Sequence, residues 1–275
     1  IWFRWLGRLA APLFFYALAV GFHHTRNRKK YLLRLYLANV GMVFFNQIMC
    51  MLQRKLDYVA YQPKNHNIFT TLFCAGVLIC IWESRKEKKK FFTYIGIYIF
   101  WQAMVMGLAV LAEAFDYVWR GNTLLQTVLR TNYIFPLLGG IWDAEGGVFF
   151  IALGVWLYCA VENKWKLALR YILFCGAYMF MCQGDILYRI MSRFSFWGYH
   201  KLADVIYYGS SFVGIPLGTS DLSLLTEFYQ WMMIGALPIM LACNRKRGKS
   251  LKWLFYAAYP LQFLVLYGIS YYKML

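Results

Sequence analysis

The chain has 275 residues, 61% of them apolar or aromatic and only 15% charged, a balance that excludes a disordered segment and an ordinary soluble domain. Its 29 Lys and Arg against 12 Asp and Glu leave a net charge of +17. Those cations are confined to short clusters between apolar runs long enough for a helix to cross a hydrocarbon layer of roughly 30 Å, so the partner implied is a lipid bilayer and not a nucleic acid.

In chain order the apolar runs predict eight spanning helices, at 3–22, 32–51, 67–83, 91–112, 146–161, 168–188, 222–243 and 253–272. Arg26, Arg28, Lys29, Lys30 and Arg34 follow the first, and Arg85, Lys86, Lys88, Lys89 and Lys90 follow the third. Lys164, Lys166 and Arg170 follow the fifth, and Arg245, Lys246, Arg247, Lys249 and Lys252 follow the seventh. By the positive-inside rule these four alternate loops are cytoplasmic. The parity sends the first helix inward, leaves Ile1 on the outer face and predicts one more helix before it. The outer segments 113–145 and 189–221 are longer, and the first carries Glu113, Asp116, Asp143 and Glu145. Their apolar stretches 123–142 and 202–217 are expected to be re-entrant or interfacial, with spanning as the alternative. The fold class is therefore all-α: a polytopic transmembrane helical bundle in a single integral domain over 1–275.

The seven cysteines lie within or at the ends of apolar runs and lack paired metal-ligand spacing, so they read as small core or lipid-facing residues and no metal site is predicted. Aromatic residues, 20% of the chain, cluster at helix ends as interfacial belts do. No nucleophile elbow, P-loop or metalloprotease helix occurs, and His66 and His200 stand alone in outer segments.

Three polar features need an explanation. Arg8 lies about five residues inside the first helix, where it either snorkels outward or lines a polar cavity opposite one of Glu113, Asp116, Asp185 or Glu227. The run Gly21 to Lys30 sets His23 and His24 beside a dense basic cluster, which either marks topology or binds phosphate through Arg forks and Lys point charges. In the eighth helix, Pro260 frees a carbonyl and the Gln262 amide needs a partner near mid-membrane, as packing glue or as part of a polar site.

The stretch Leu6-Gly7-Arg8 through Pro12 to Phe15, then Gly21-Phe22, His24-Thr25-Arg26-Asn27 and Lys30-Tyr31-Leu32-Leu33-Arg34-Leu35, resembles the TraX family. The closing Tyr259-Pro260-Leu261-Gln262 is similar to that family's final-helix motif, which usually reads Tyr-Pro-Leu-His. The resemblance implies an integral membrane N-acetyltransferase, the family being named for one that acetylates a pilin N-terminus in conjugation. It also implies kinship with larger membrane acyltransferases that use cytoplasmic acyl-CoA to modify sugars or lipids on the far side. The family's usual first helix, with an Asp-His pair, would precede Ile1. Because Gln cannot act as a general base, Gln262 implies impaired activity or a base elsewhere.

The resulting expectation is an acetyl-CoA-dependent acyltransferase of the bacterial cytoplasmic membrane, acting on a protein N-terminus or an envelope sugar. Its phosphates would meet Arg26, Arg28, Lys30 or Arg34, with His24 as base and Arg8 or Gln262 as oxyanion donors. A small-molecule transporter and a non-catalytic envelope scaffold are the alternatives; the first predicts two similar halves, and no internal symmetry is visible.

Overall fold

A computed structural model describes residues 2–56, 67–118, 131–142, 144–183, 193, 206, 209–210, 212–215, 229–244 and 252–272. Among the described residues helices predominate and no strand occurs. They are α1 (Trp2–His24), α2 (Arg28–Leu56), α3 (Ile68–Glu83), α4 (Lys88–Val118), α5 (Thr131–Leu137), α6 (Gly147–Tyr158), α7 (Lys164–Gln183), α8 (Ala236–Ala242) and α9 (Lys252–Tyr272). A 3₁₀ turn, Gln230–Gly235, leads into α8.

Helices α2, α3, α4, α7 and α9 carry stretches long and apolar enough to cross a membrane, and α1 has 23 residues. The stretch in α9 is only 11% buried and that in α4 only 22%, so the apolar side chains they present outward need hydrocarbon around them. Together these helices make the chain a membrane protein. The expected span at 146–161 is shorter: α6 has 12 residues, about 18 Å of rise, less than a hydrocarbon layer. Its boundaries follow from the chain. Gly146 and Gly147 both hold positive φ, at 79° and 67°, and the chain turns again after Tyr158 through Ala160 N–H to Leu157 O. Of the expected span at 222–243, the described part is the 3₁₀ turn and α8.

The chain divides into two compact units, one of Ile1–Arg28, Ala75–Lys86 and Gly146–Arg245 and one of Lys29–Cys74, Glu87–Glu145 and Lys246–Leu275. In the first, α1 packs on α6 and on the 3₁₀ turn, and α7 packs on both of the latter. Phe15, Phe150, Phe174 and Tyr178 form a continuous aromatic ladder at its centre, with ring centroids about 6 Å apart, the range that edge-on and tilted pairs favour. Gly154 allows this approach, since a Cβ there would stand 2.9 Å from the Ala75 side chain and 3.1 Å from Phe15. Asn163 caps α7, its Oδ1 accepting from the N–H groups of Trp165 and Lys166 at 2.9 and 3.2 Å.

In the second unit, Phe69 of α3 sits among Phe255, Tyr256 and Tyr259 of α9, and Met49 of α2 packs against Tyr267. Tyr259, Phe263 and Tyr267 thus form the packed stripe of α9, at helical spacing. Helix α5 packs on α4 and ends in a Schellman turn: Gly140 N–H bonds Phe135 O at 2.6 Å and Gly139 N–H bonds Pro136 O at 3.1 Å, with Gly139 at φ 65°.

Candidate functional site

Each unit contains a cluster of polar side chains. In the first, the sequence motif at the end of α1 folds back on itself. Phe22 is buried, and the Arg28 guanidinium lies over its ring at 5.3 Å. That guanidinium donates through Nη2 and Nε to Glu83 Oε1 and Oε2, at 2.8 and 3.3 Å, and through Nη1 to Thr25 O at 2.8 Å. The Tyr158 hydroxyl donates a short hydrogen bond to the same Glu83 Oε1. The His23 ring stacks on Tyr158 at 4.4 Å, its Nε2 donates to Tyr158 O at 3.1 Å, and its Nδ1 lies 3.7 Å from Glu162 Oε1. These contacts tie together the ends of α1, α3 and α6, and they leave Glu83 engaged as an acceptor by three donors.

The residues singled out by the sequence are placed as follows. Arg28 holds Glu83, whereas Arg26, Lys30 and Arg34 have exposed side chains. His24 is exposed at the end of α1, and it is His23 that enters the cluster. Arg8 is half-buried with its guanidinium 5.0 Å over the Tyr229 ring, and the four acids considered as its partners lie outside the described side chains. Sixteen residues of α1 separate Arg8 from His24, about 24 Å of rise, so one small reaction centre does not include both. Gln262 is exposed, off the packed stripe of α9.

The cluster in the second unit was not anticipated. Its centre is Asn39, fully buried in α2. Asn39 Oδ1 accepts from Asn67 Nδ2 at 2.8 Å and from Thr70 Oγ1 at 2.7 Å, and its Nδ2 donates to Pro136 O at 2.6 Å. Four further donors reach the same stretch of backbone, at the C-terminal end of α5 and the turn after it: Tyr36 to Leu137 O at 2.8 Å, Trp101 to Leu138 O at 2.9 Å, Gln102 to Gly139 O at 3.2 Å and Cys74 to Gly139 O at 3.5 Å. Ile141 N–H donates back to Gln102 Oε1 at 3.0 Å.

From the charged ends of their helices, Asn39 and Gln102 lie about 16 and 21 Å along the axis, near the middle of a 30 Å layer. Water does not satisfy peptide groups at that depth, so side chains must, and this cluster supplies them. Of the segment 123–142, expected to be re-entrant or interfacial, the described part is 131–142, which holds α5 and the turn that ends it.

The same cluster continues to a carboxylate. Tyr259 donates to Glu145 Oε2 at 2.7 Å and accepts from the Ile68 N–H at 3.4 Å, while Thr71 Oγ1 donates to Glu145 O at 3.0 Å. Both the backbone and the carboxylate of Glu145 are thus held at the first turn of α3. Asn67 Oδ1, in the residue just before that turn, is buried with no hydrogen-bond partner among the described residues. A held carboxylate beside a phenol, with an unpaired amide oxygen close by in the chain, offers proton acceptance and hydrogen bonding to a polar ligand. The sequence signal was present in Asn39 and Gln102, amides inside otherwise apolar helices.

Among the described residues no group of three His, Cys, Asp or Glu side chains is placed to hold a metal ion. No curated protein and no solved structure matches the chain. The family model described as TraX protein matches residues 1–179 of the 275, and by that match the chain belongs to the TraX family.

Proposed function

We propose that the chain is a membrane-embedded acyltransferase that moves an acetyl group from acetyl-CoA to a protein N-terminal amine or an envelope sugar, in a bacterial cytoplasmic membrane with the basic loops facing the cytoplasm. The observation that carries this reading is the polar cluster of the second unit, in a chain of the TraX family. Buried amides near mid-span, in a cluster that continues to a phenol and a half-buried carboxylate, have a high cost in an apolar helix bundle and are expected where chemistry takes place.

Acyl transfer from a thioester asks for two things: acceptance of a proton from the attacking group and donation to the developing oxyanion. Glu145 has the chemistry of the first, and neutral donors such as the Asn67 and Gln102 amides have the chemistry of the second. The CoA phosphates would meet the exposed cations Arg26, Lys30 and Arg34, with Arg28 engaged by Glu83 as the anchor of that turn. Gln262, off the packed stripe, is a candidate contact for the acceptor and not for its proton.

Calorimetric titration of acetyl-CoA into the purified full chain in lipid nanodiscs tests this reading. Saturable binding that CoA competes for is expected. Its absence would favour a transporter or a scaffold.

A further inference from the structure

We infer that the ends of α3, α6 and α7 in the first unit form a binding site for the phosphodiester headgroup of an anionic phospholipid, held by Arg85 and Arg170. Such a site does not depend on the acyltransferase reading.

Three observations support it. First, the fold brings together cations from two different basic loops. Arg85 follows α3 and Arg170 lies in α7, yet both guanidiniums act on the thiol of Cys159, the residue that closes α6, and Arg170 and the Trp82 indole are within hydrogen-bonding reach of that sulfur. Each guanidinium is also anchored to backbone: Arg85 Nη1 donates to Trp82 O at 3.1 Å, and Arg170 Nη1 donates to Trp156 O at 3.4 Å. Cations that only set topology need to be on the right side of the membrane, and they need no such convergence.

Second, the protein does not neutralise this pair. Among the described residues neither guanidinium meets a carboxylate: Glu83 is engaged by Arg28, Glu87 by Lys90, and Glu162 lies 3.7 Å from His23. A guanidinium carries five N–H donors in a planar fork, and a carbonyl and a thiol occupy only part of them. The remaining donors match the oxygens of a phosphodiester, which Arg binds through paired charge-assisted hydrogen bonds.

Third, the surroundings favour a lipid over a soluble phosphate. Trp82 and Trp156 are both exposed, at helix ends where interfacial aromatic side chains lie. Arg170 is six residues into α7 from Lys164, about 9 Å along the axis, so it stands at the level where the apolar surface begins. Below it, Leu169, Leu173 and Phe180 share one face of α7 and are 61, 54 and 69% exposed. A lipid whose headgroup sits at the two arginines lays its acyl chain along that face, while a soluble phosphate has no use for it.

The test uses the purified full chain in dodecyl maltoside with added dioleoyl phosphatidylglycerol, dioleoyl phosphatidylcholine or inorganic phosphate. Bound lipid is read by native mass spectrometry and Tm by thermal unfolding. Phosphatidylglycerol is expected to remain bound and to raise Tm, and the other two, at the same phosphate concentration, to do neither. Arg85→Ala combined with Arg170→Ala is expected to weaken phosphatidylglycerol binding about tenfold or more. Lys88→Ala combined with Lys89→Ala removes the same charge and is expected to leave binding within about twofold of wild type. Arg85→Lys combined with Arg170→Lys keeps the charge but loses the forks, and its binding should fall between the two. Equal losses from the two alanine pairs would reduce the effect to net charge and overturn the site. Equal binding of phosphatidylglycerol and phosphatidylcholine by the wild type, or an equal rise in Tm with inorganic phosphate, would overturn the anionic lipid as its occupant. Should the alanine pair at Arg85 and Arg170 not fold, wild-type binding by the lysine pair overturns the site instead.

Discussion

The Arg28 guanidinium meets the Glu83 carboxylate through two N–H groups, at 2.8 and 3.3 Å, and thereby pins the start of α2 to the end of α3. Both side chains are about 30% exposed, which leaves the pair partly desolvated and makes each partner dependent on the other. Arg28→Ala and Glu83→Gln are each expected to destabilise the folded chain by about 1 to 3 kcal/mol. The double substitution should cost little more than the worse single one, measured by denaturant unfolding of the reconstituted protein. Additive costs would mean that the two residues act independently.

Gly139 ends α5 in the left-handed region, and a Cβ there would fall 2.7 Å from the Phe73 ring. Gly139→Ala is expected to cost about 1 to 2 kcal/mol from the backbone conformation alone, before any displacement of the ring. Gly96→Ala, in the interior of α4 with open space where the Cβ would sit, should instead be neutral or stabilise by up to about 1 kcal/mol. Thermal denaturation of the two variants side by side checks the contrast, and equal effects would contradict the turn geometry.

Asn39 satisfies Asn67, Thr70 and the carbonyl of Pro136 at once. Asn39→Leu fills a similar volume but strands those groups, so it should lose about 1 to 3 kcal/mol and give faster proteolysis within 131–142. Unchanged proteolysis would show that the segment does not depend on this amide.

The spans were legible in the sequence because hydropathy and the basic clusters report directly on what a bilayer tolerates, and α2, α4 and α9 enclose the runs predicted at 32–51, 91–112 and, within a residue, 253–272. The short α6 was not read, although Gly146-Gly147 carried the signal: two left-handed glycines set its start, and hydropathy alone does not register a turn. His23 and His24 are neighbours whose directions on a helix differ by about 100°, so which one meets Tyr158 depends on the packed face of α1, which composition does not report. Glu145 looked like one acid among several in an outer segment. Its partner Tyr259 lies far along the chain, in a motif read for Gln262, and only folding brings the two together.

For the cofactor, Arg26→Ala combined with Arg34→Ala is expected to weaken acetyl-CoA binding at low salt more than Lys88→Ala combined with Lys89→Ala. Phosphate contacts are short-range and site-specific, while cations that serve only topology are interchangeable. Equal effects from the two pairs would reduce the first basic turn to a topology signal.

The central claim is acetyl transfer, and its most direct test is to follow radiolabelled acetyl-CoA with the purified full chain in nanodiscs, measuring CoA thiol release and acceptor labelling in the same sample. The account predicts labelled peptide amine or glucosamine in one-to-one proportion with released thiol, at a rate that depends on the chain. Thiol release without labelled acceptor, or no release above the protein-free control, would contradict it.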